Sequence, residues 1–400
     1  MVQLAVRRLL IGIAASNAQC LPLYSQRPEL DFDFILDKSN LEVLKKNIQV
    51  RKGVGNIELV HSLWQQIREF PKKSGGTEEE YKWLWDKLYQ EALLIPNMCH
   101  PDVPTGPEAA AKVVREFGGD RREGSSLVTA EIIGNYWKSV IYPREACGNR
   151  SYAFIGPLAE LERALIRYVW NFVLAKGFRP VIVSDIVPAA VTEACGLQQR
   201  SGSSIKYVLE QDKSLCVSGT SEMGISNMLR RKLFYKKDLP VKFTALSRCY
   251  RPEVSQSAHE ARLYRVHEFT KIEMFAVCEP KDSGKVLQEI VDIQCSIFDS
   301  LGLHCRLLDM PSEELGAPAN RKFDVEAWLP GRNLFGELSS ASDCTDFQAR
   351  RLGIKYKGED GEKRFVHTCN GTAVAVSRAI IALLETYQKA CFILFTFQKL

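Results

Sequence analysis

Nowhere in the 400-residue sequence does an apolar run approach the roughly 20 residues that a membrane-spanning helix needs. A soluble protein with no membrane partner is therefore expected. GxGxxG and GxxxxGK(S/T) are both missing, which removes the two glycine-rich loops that cradle phosphates in doubly wound nucleotide folds. There is no CxxC pair, and the 12 cysteines and 6 histidines show no zinc-ligand spacing. Reduced thiols in a reducing compartment fit that scatter better than a disulfide framework. No internal repeat is evident, and no acid precedes Glu29.

What remains is an ordinary globular composition, 46% hydrophobic, with a formal net charge of +5. That charge is compatible with an anionic partner but far from the density of a histone-like binder. The acid-free start, "MVQLAVRRLLIGIAASNAQC", carries Arg7 and Arg8 among small and apolar residues, the composition of a mitochondrial targeting segment over residues 1–28. A secretory signal and an ordinary chain end are the competing interpretations.

Between Leu41 and Leu88 the apolar positions Ile57, Val60, Leu63, Trp64 and Ile67, then Tyr81, Leu84, Trp85 and Leu88, fall at helical spacing around "PKKSGG". This predicts two short helices packed as a hairpin, with the aromatics as core. Residues 95–106, "IPNMCHPDVPTG", are dense in turn formers and read as a linker. Beyond it, "LAELERALIRYVWNFVLAKG" predicts an amphipathic helix ending at Gly177. β-rich runs follow in "FRPVIVSDIV", "SLCVSG", "VKFTALSRCY", "RLYRVHEFTKIEMFAV", "HCRLLDM", "RKFDVEAWLP" and "LFGELSSAS". Successive strands with helices between them predict an α+β domain centred on an antiparallel sheet.

The segment 248–275, "RCYRPEVSQSAHEARLYRVHEFTKIEMF", places five basic residues and four glutamates among apolar ones. Read as strand, loop and strand, it puts Arg251 and Glu253 on one face and Lys271 and Glu273 on another. A solvated hairpin is the ordinary explanation. Elsewhere, however, Glu222 sits in "SGTSEMG", Glu337 beside Ser339 and Ser340, and Asn370, Thr372 and Arg378 around an expected helix start. Acids, hydroxyls and arginines near strand ends suit a ligand bearing an ammonium group, a carboxylate and phosphates, each of which needs an opposite charge once water is excluded.

These segments resemble the signature motifs of class II aminoacyl-tRNA synthetases in the form seen in seryl-tRNA synthetases, and the likeness runs from about Leu94 to Gln388. It is carried by "LYRVHEFTKIEMF", "RKFDVEAWLPGR", "ELSSASDCTDFQARR" and "NGTAVAVSRAIIALLE", in that order, and is strongest to the mitochondrial animal enzymes. The resemblance implies activation of L-serine with ATP to seryl-adenylate, transfer to the 3′ end of tRNA(Ser), a homodimer and a site in the mitochondrial matrix. It also implies an N-terminal helical tRNA-binding region over 29–105 and a catalytic domain over 106–400.

By the same likeness, Arg251 bridges the serine carboxylate and the α-phosphate, and Arg378 is a second phosphate clamp. Glu253 accepts from the adenine amino group and Phe269 stacks on the ring. Arg265, with Arg262, faces phosphates or the tRNA end. Glu337 and Ser340 ligate Mg²⁺. Thr220 and Glu222 receive the serine ammonium, Glu273 and Thr372 hold its hydroxyl, and Asn370 orders that wall or simply caps a helix. His267 and His259 read more naturally as structural residues.

Departures from the family pattern are Ser184 in place of a proline, Asp343 in place of an asparagine, Ser377 before Arg378, and a charged loop where glycines are usual. The long coiled-coil arm is replaced by a short segment without sustained heptads. This lineage would then read its tRNA with a reduced arm, or the arm has been lost through splicing error. The apolar end, "KACFILFTFQKL", reads as a final strand or as a foreign terminus. A non-catalytic synthetase-like partner is the rival reading, and an enzyme for another small amino acid a third.

Overall fold

A computed structural model describes residues 27–70, 76–143, 145, 148, 150–197, 206–253 and 263–389. The expected leader (save its last two residues), Arg262, His259 and the apolar C-terminal stretch lie outside the described residues.

The N-terminal part holds α1 (Leu41–Val50), α2 (Ile57–Glu69) and α3 (Glu78–Leu93). Three helices stand where the periodicity predicts two. The turn between α1 and α2 uses Gly53 at φ +66 and Gly55 at φ +108, left-handed angles that glycine adopts without a Cβ penalty. Asn56 caps α2, and Thr77 with Glu80 forms a capping box on α3. Leu44, Val60, Leu63, Leu84 and Leu88 form a shared core, and Trp64 meets Trp85 edge-on at 5.8 Å. The aromatics are therefore packing residues, as their spacing implies.

The 95–106 segment is irregular but firmly attached. The Asn97 side chain donates to Pro318 O at 2.8 Å, Cys344 O at 3.0 Å and Thr345 Oγ1 at 2.9 Å. Its carbonyl accepts from Asn47 on α1 at 3.1 Å and from Arg51. Arg51 also reaches Gly316 O, so one side chain ties α1 to the linker and to the rest of the chain.

After the linker come β1 (Lys112–Gly118), α4 (Pro157–Ala175), β2 (Arg179–Pro180), α5 (Ser221–Leu229), β3 (Val241–Tyr250), β4 (Glu268–Cys278) and α6 (Ser283–Ser300). β5 (His304–Asp309), β6 (Arg321–Leu329), β7 (Leu334–Asp343), β8 (His367–Ala375) and α7 (Val376–Tyr387) complete the frame. The strands make an eight-stranded sheet in the order β1-β5-β6-β7-β8-β4-β3-β2, antiparallel except where β2 joins β3. The antiparallel-centred α+β fold is as expected.

Three local expectations change. "FRPVIVSDIV" yields only the two residues of β2, followed by one more bond from Val181 N to Thr244 O at 2.9 Å, and a separate short strand, Ile186–Pro188. Asn370 and Thr372 lie within β8, and α7 starts only at Val376, so Asn370 is no helix cap. β3 ends at Tyr250, so Arg251 and Glu253 sit beyond the strand, Glu253 at φ +42. β8 escaped detection because it is covered on both faces and so lacks alternation.

β4 carries the frame. Its even positions Ile272, Met274, Ala276 and Cys278 enter one core with α4, α6 and α7. Its odd positions Phe275 and Val277 enter a second core with α5. Lys271 and Glu273 belong to that same odd face. Beneath β8, a Cβ on Gly371 would lie 2.4 Å from Ile290 Cγ2, so only glycine lets α6 pack this closely. There Gln294 donates to Ser340 O and Thr372 O, each at 2.9 Å.

Asn97→Ala strands three acceptors of the linker and is expected to lower stability by about 1–3 kcal/mol, read as a lower urea midpoint at an unchanged slope.

Candidate active site

Glu273, 2% exposed on β4, is the centre of the polar face. Its Oε2 accepts from Thr220 Oγ1 at 3.1 Å, from Thr372 Oγ1 at 3.3 Å and from the Lys271 ammonium. Among the described residues no hydrogen bond falls on Oε1, which stays the open acceptor. The register of β8 on β4 sets Thr372 opposite Glu273, and a bulge follows directly between Thr372 and Val374. Thr220 arrives as the N-cap of α5 and also accepts from Glu222 N at 3.4 Å.

Beside this cluster, Glu222 Oε1 accepts from Gln348 Nε2 at 2.6 Å and Asn370 Nδ2 at 3.0 Å. Burial, reinforced by the negative charge of Glu273, pushes the Glu222 carboxyl up to about 7. Thr220, Glu222, Glu273, Asn370 and Thr372 are thus brought together, although they come from α5, β4 and β8.

A cleft opens next to them. Its walls include Arg251, Glu253, Arg265, Phe269, Glu337 and Arg378. The Arg251 guanidinium lies over the Phe269 ring at 5.3 Å, and Arg251 Nε donates to Gly219 O at 3.4 Å. On the opposite side Arg378 lies over the Tyr264 ring at 4.5 Å. Arg378 is fixed by bonds to Tyr264 O at 3.2 Å and Glu337 O at 3.0 Å, and it pairs with the Glu337 carboxylate at 3.3 Å. Arg265 and Glu253 approach to 3.6 Å.

Although burial opposes it, the positive charges of Arg378, Lys322 and Arg251 hold the Glu337 carboxyl down to about 2. It is ionised throughout the neutral range. A bulge in β7 makes Glu337 face Glu326 and Ser340 face Asp324, so residues three apart share one side of the sheet. Without that bulge Ser340 would point away. Among the described residues no three His, Cys, Asp or Glu side chains are grouped to hold a metal unaided. An ionised carboxylate and a hydroxyl on one face fit a hard cation that takes its other oxygens from phosphates and water.

Ser340 is not itself on the cleft wall; Ser339 is. His267 behaves as the structural residue expected, its Nδ1 2.8 Å from Tyr207 Oη. Sequence reasoning missed Tyr264, Lys271 as the partner of Glu273, and Gln348. Tyr264 is the tyrosine of the quoted "LYRVHEFTKIEMF" but carries no charge to draw notice, and Gln348 lies in "DFQARR", far from Glu222 along the chain.

The chain matches the profile described as the tRNA synthetase class II core domain (G, H, P, S and T) over residues 207–387. It is 41% identical to the mitochondrial serine–tRNA ligase of Mus musculus, across 80% of this chain and 63% of that protein. It is 34% identical to the serine–tRNA ligase of Treponema denticola, across 94% of this chain and 90% of that one. The chain therefore spans about two thirds or less of the mammalian mitochondrial relatives, 63% in mouse and 60% in Bos taurus. A solved structure of seryl-tRNA synthetase from Pyrococcus horikoshii complexed with ATP superposes with a TM-score of 0.82 at 26% identity, covering 90% of this chain and 94% of that one. With these relatives sharing both the sequence and the frame that surrounds the cleft, the chain belongs to the seryl-tRNA synthetase family of class II aminoacyl-tRNA synthetases.

Proposed function

We propose that the chain is a serine–tRNA ligase of the mitochondrial matrix, acting as a homodimer. A serine carboxylate oxygen attacks the α-phosphorus of ATP, pyrophosphate leaves, and the 3′-terminal ribose of tRNA(Ser) then displaces AMP from the seryl carbonyl. The observation that supports this best is the junction of two sites. A pocket of buried carboxylates and hydroxyls adjoins a cleft flanked by two guanidinium–ring pairs.

In this reading Arg251 neutralises charge on the serine carboxylate and the α-phosphate, and Arg378 and Arg265 hold the polyphosphate, so the protein supplies positioning and electrostatics. Phe269 and Arg378 flank adenine, and Glu253 accepts from its amino group. Glu337 and Ser340 hold Mg²⁺, which when bound neutralises phosphate charge and orients the leaving group. Glu222 and Thr220 take the ammonium group, with Asn370 aligning Glu222 from one side. The serine hydroxyl donates to the open Oε1 of Glu273, beside Thr372. Alanine leaves that buried oxygen unpaired, and this is the basis for rejecting it.

Residues 1–28 serve as the import segment, 29–105 as the N-terminal helical unit and 106–400 as the catalytic unit. Import to mitochondria agrees with the mitochondrial names of several relatives. Dimerisation uses the surface around β2, where Ile182 is fully exposed and Ile186 and Leu246 are also open to water. A non-catalytic partner protein would have no use for an ionised Glu337 held between arginines, and that observation favours the enzyme.

Three outcomes are expected. Arg251→Ala reduces serine-dependent ATP–pyrophosphate exchange by about 100-fold or more, with folding unchanged by circular dichroism. Because Glu222 keeps its proton until about pH 7, serine binds better as the pH rises. KM for serine at pH 6 is about tenfold above that at pH 8, and Glu222→Gln removes the dependence. Ile182→Asp shifts the sedimenting species from dimer to monomer.

A further inference from the structure

The described surface carries a second cationic site away from the cleft. Leu233–Tyr235, Lys355–Lys357 and Lys363–Phe365 form a separate three-stranded sheet, with the 355–357 strand in the middle. Residues 230–238 and 353–365, which build it, hold nine Lys or Arg against four Asp or Glu. That net of +5 in 22 residues equals the net charge of the entire chain.

The register sorts these residues onto two faces. Phe234 and Tyr356 are paired and buried in the second core. On the outer face Tyr235 pairs with Lys357, and Lys357 with Lys363, in one continuous row. All three are exposed, Tyr235 by 58%, and Leu233 beside them by 39%. Lysines directly opposed across strands repel, which costs stability unless an anion lies between them. Lys236, Lys355 and Arg364 are engaged by Glu359, Glu29 and Asp360. For Lys357, Lys363, Lys232 and Lys237 no ion pair is found among the described residues.

The N-terminal helical hairpin is opposite in sign. α2 and α3 together carry seven acids and three bases, so their surface repels a polyanion. α3, at 16 residues, extends only about 24 Å.

We propose that the outer face of this three-stranded sheet is an RNA-binding surface, on which Lys357 and Lys363 contact phosphates and Tyr235 stacks a base or ribose of the tRNA. Lysines interleaved with an open aromatic ring on a sheet suit RNA, whose phosphates take the charge and whose unpaired bases take the ring. The surface rests on the tRNA-ligase reading for the identity of its RNA, and it takes over the contact that the acidic hairpin is unsuited to make.

The test measures binding of a serine tRNA transcript to the full chain at several salt concentrations, alongside serine-dependent pyrophosphate exchange. The double variant Lys357→Gln, Lys363→Gln is expected to bind at least about tenfold more weakly, with the slope of log Kd against log salt reduced by about 1 to 2. Tyr235→Ala alone weakens binding roughly tenfold, and exchange is unchanged in both. Independently of any substitution, bound tRNA should protect the Lys357 and Lys363 amines of the wild-type chain from acetylation. Unchanged affinity and slope in the double variant, or no protection, overturns the proposal. So does loss of binding to anionic phospholipid vesicles in these variants while tRNA binding persists. Absence of exchange in the wild type with tRNA binding intact would instead sink the ligase reading and leave this surface standing.

Discussion

Glu273 and Lys271 form an ion pair in an interior strand of an eight-stranded sheet, 2% and 5% exposed. Removing two charges from water costs several kcal/mol per ion unless geometry and hydrogen bonds offset it. Here the offset comes from elements far apart in sequence. The N-cap of α5 supplies one hydroxyl, a bulged β8 supplies another, and the ammonium lies two residues along the same strand. The strand can hold charge on that face because its opposite face is packed by α4, α6 and α7. α6 comes close enough to support it only because position 371 is glycine.

Two carboxylates within one polar region are set to different states by their surroundings. Glu222 is pushed up by burial beside another acid, whereas Glu337 is pulled down by two arginines and a lysine despite burial. Glu273 has its own ammonium. Environments that divide acids in this way are typical of sites that must bind several charged moieties at once. Arg251 and Arg378 are positioned by carbonyl contacts and by rings beneath them, and Arg378 also pairs with the Glu337 carboxylate.

The N-terminal helices are attached through polar contacts, Asn97 and Arg51 foremost, with Lys52 pairing with Glu314 and Arg351 donating to Leu93 O. Asn97 reaches Cys344 O and Thr345, and Cys344 Sγ in turn accepts from Asn370 at 3.5 Å. The attachment point of the helical unit therefore lies one residue from the wall of the small polar pocket. Position and charge are separable in this unit. Its docking is well specified, while α2 and α3 carry more acids than bases.

Much of the fold was legible from the sequence. β-rich composition exposed β3 to β7, and helical periodicity exposed α2, α3 and α4, because each of those helices has one apolar and one polar face. β8 and β1 were not legible, the first because both its faces are buried and the second because nearly all of it is open to water, so neither shows a buried face alternating with an exposed one. Charged and hydroxyl residues singled out in the sequence do converge: Thr220, Glu222, Glu273, Asn370 and Thr372 in one cluster, and Arg251, Glu253, Arg265, Phe269, Glu337 and Arg378 around one cleft. Residue type and order, which chemistry alone makes recognisable, were determined by the sequence. Tertiary structure alone decided that Glu337 and Ser340 share a face, since a single bulge reverses the side to which every later residue points. It also decided that Tyr264 underlies Arg378, and that Tyr235 lines up with Lys357 and Lys363, more than 100 residues further along the chain, because pairing register is a property of neighbouring strands and not of any one of them.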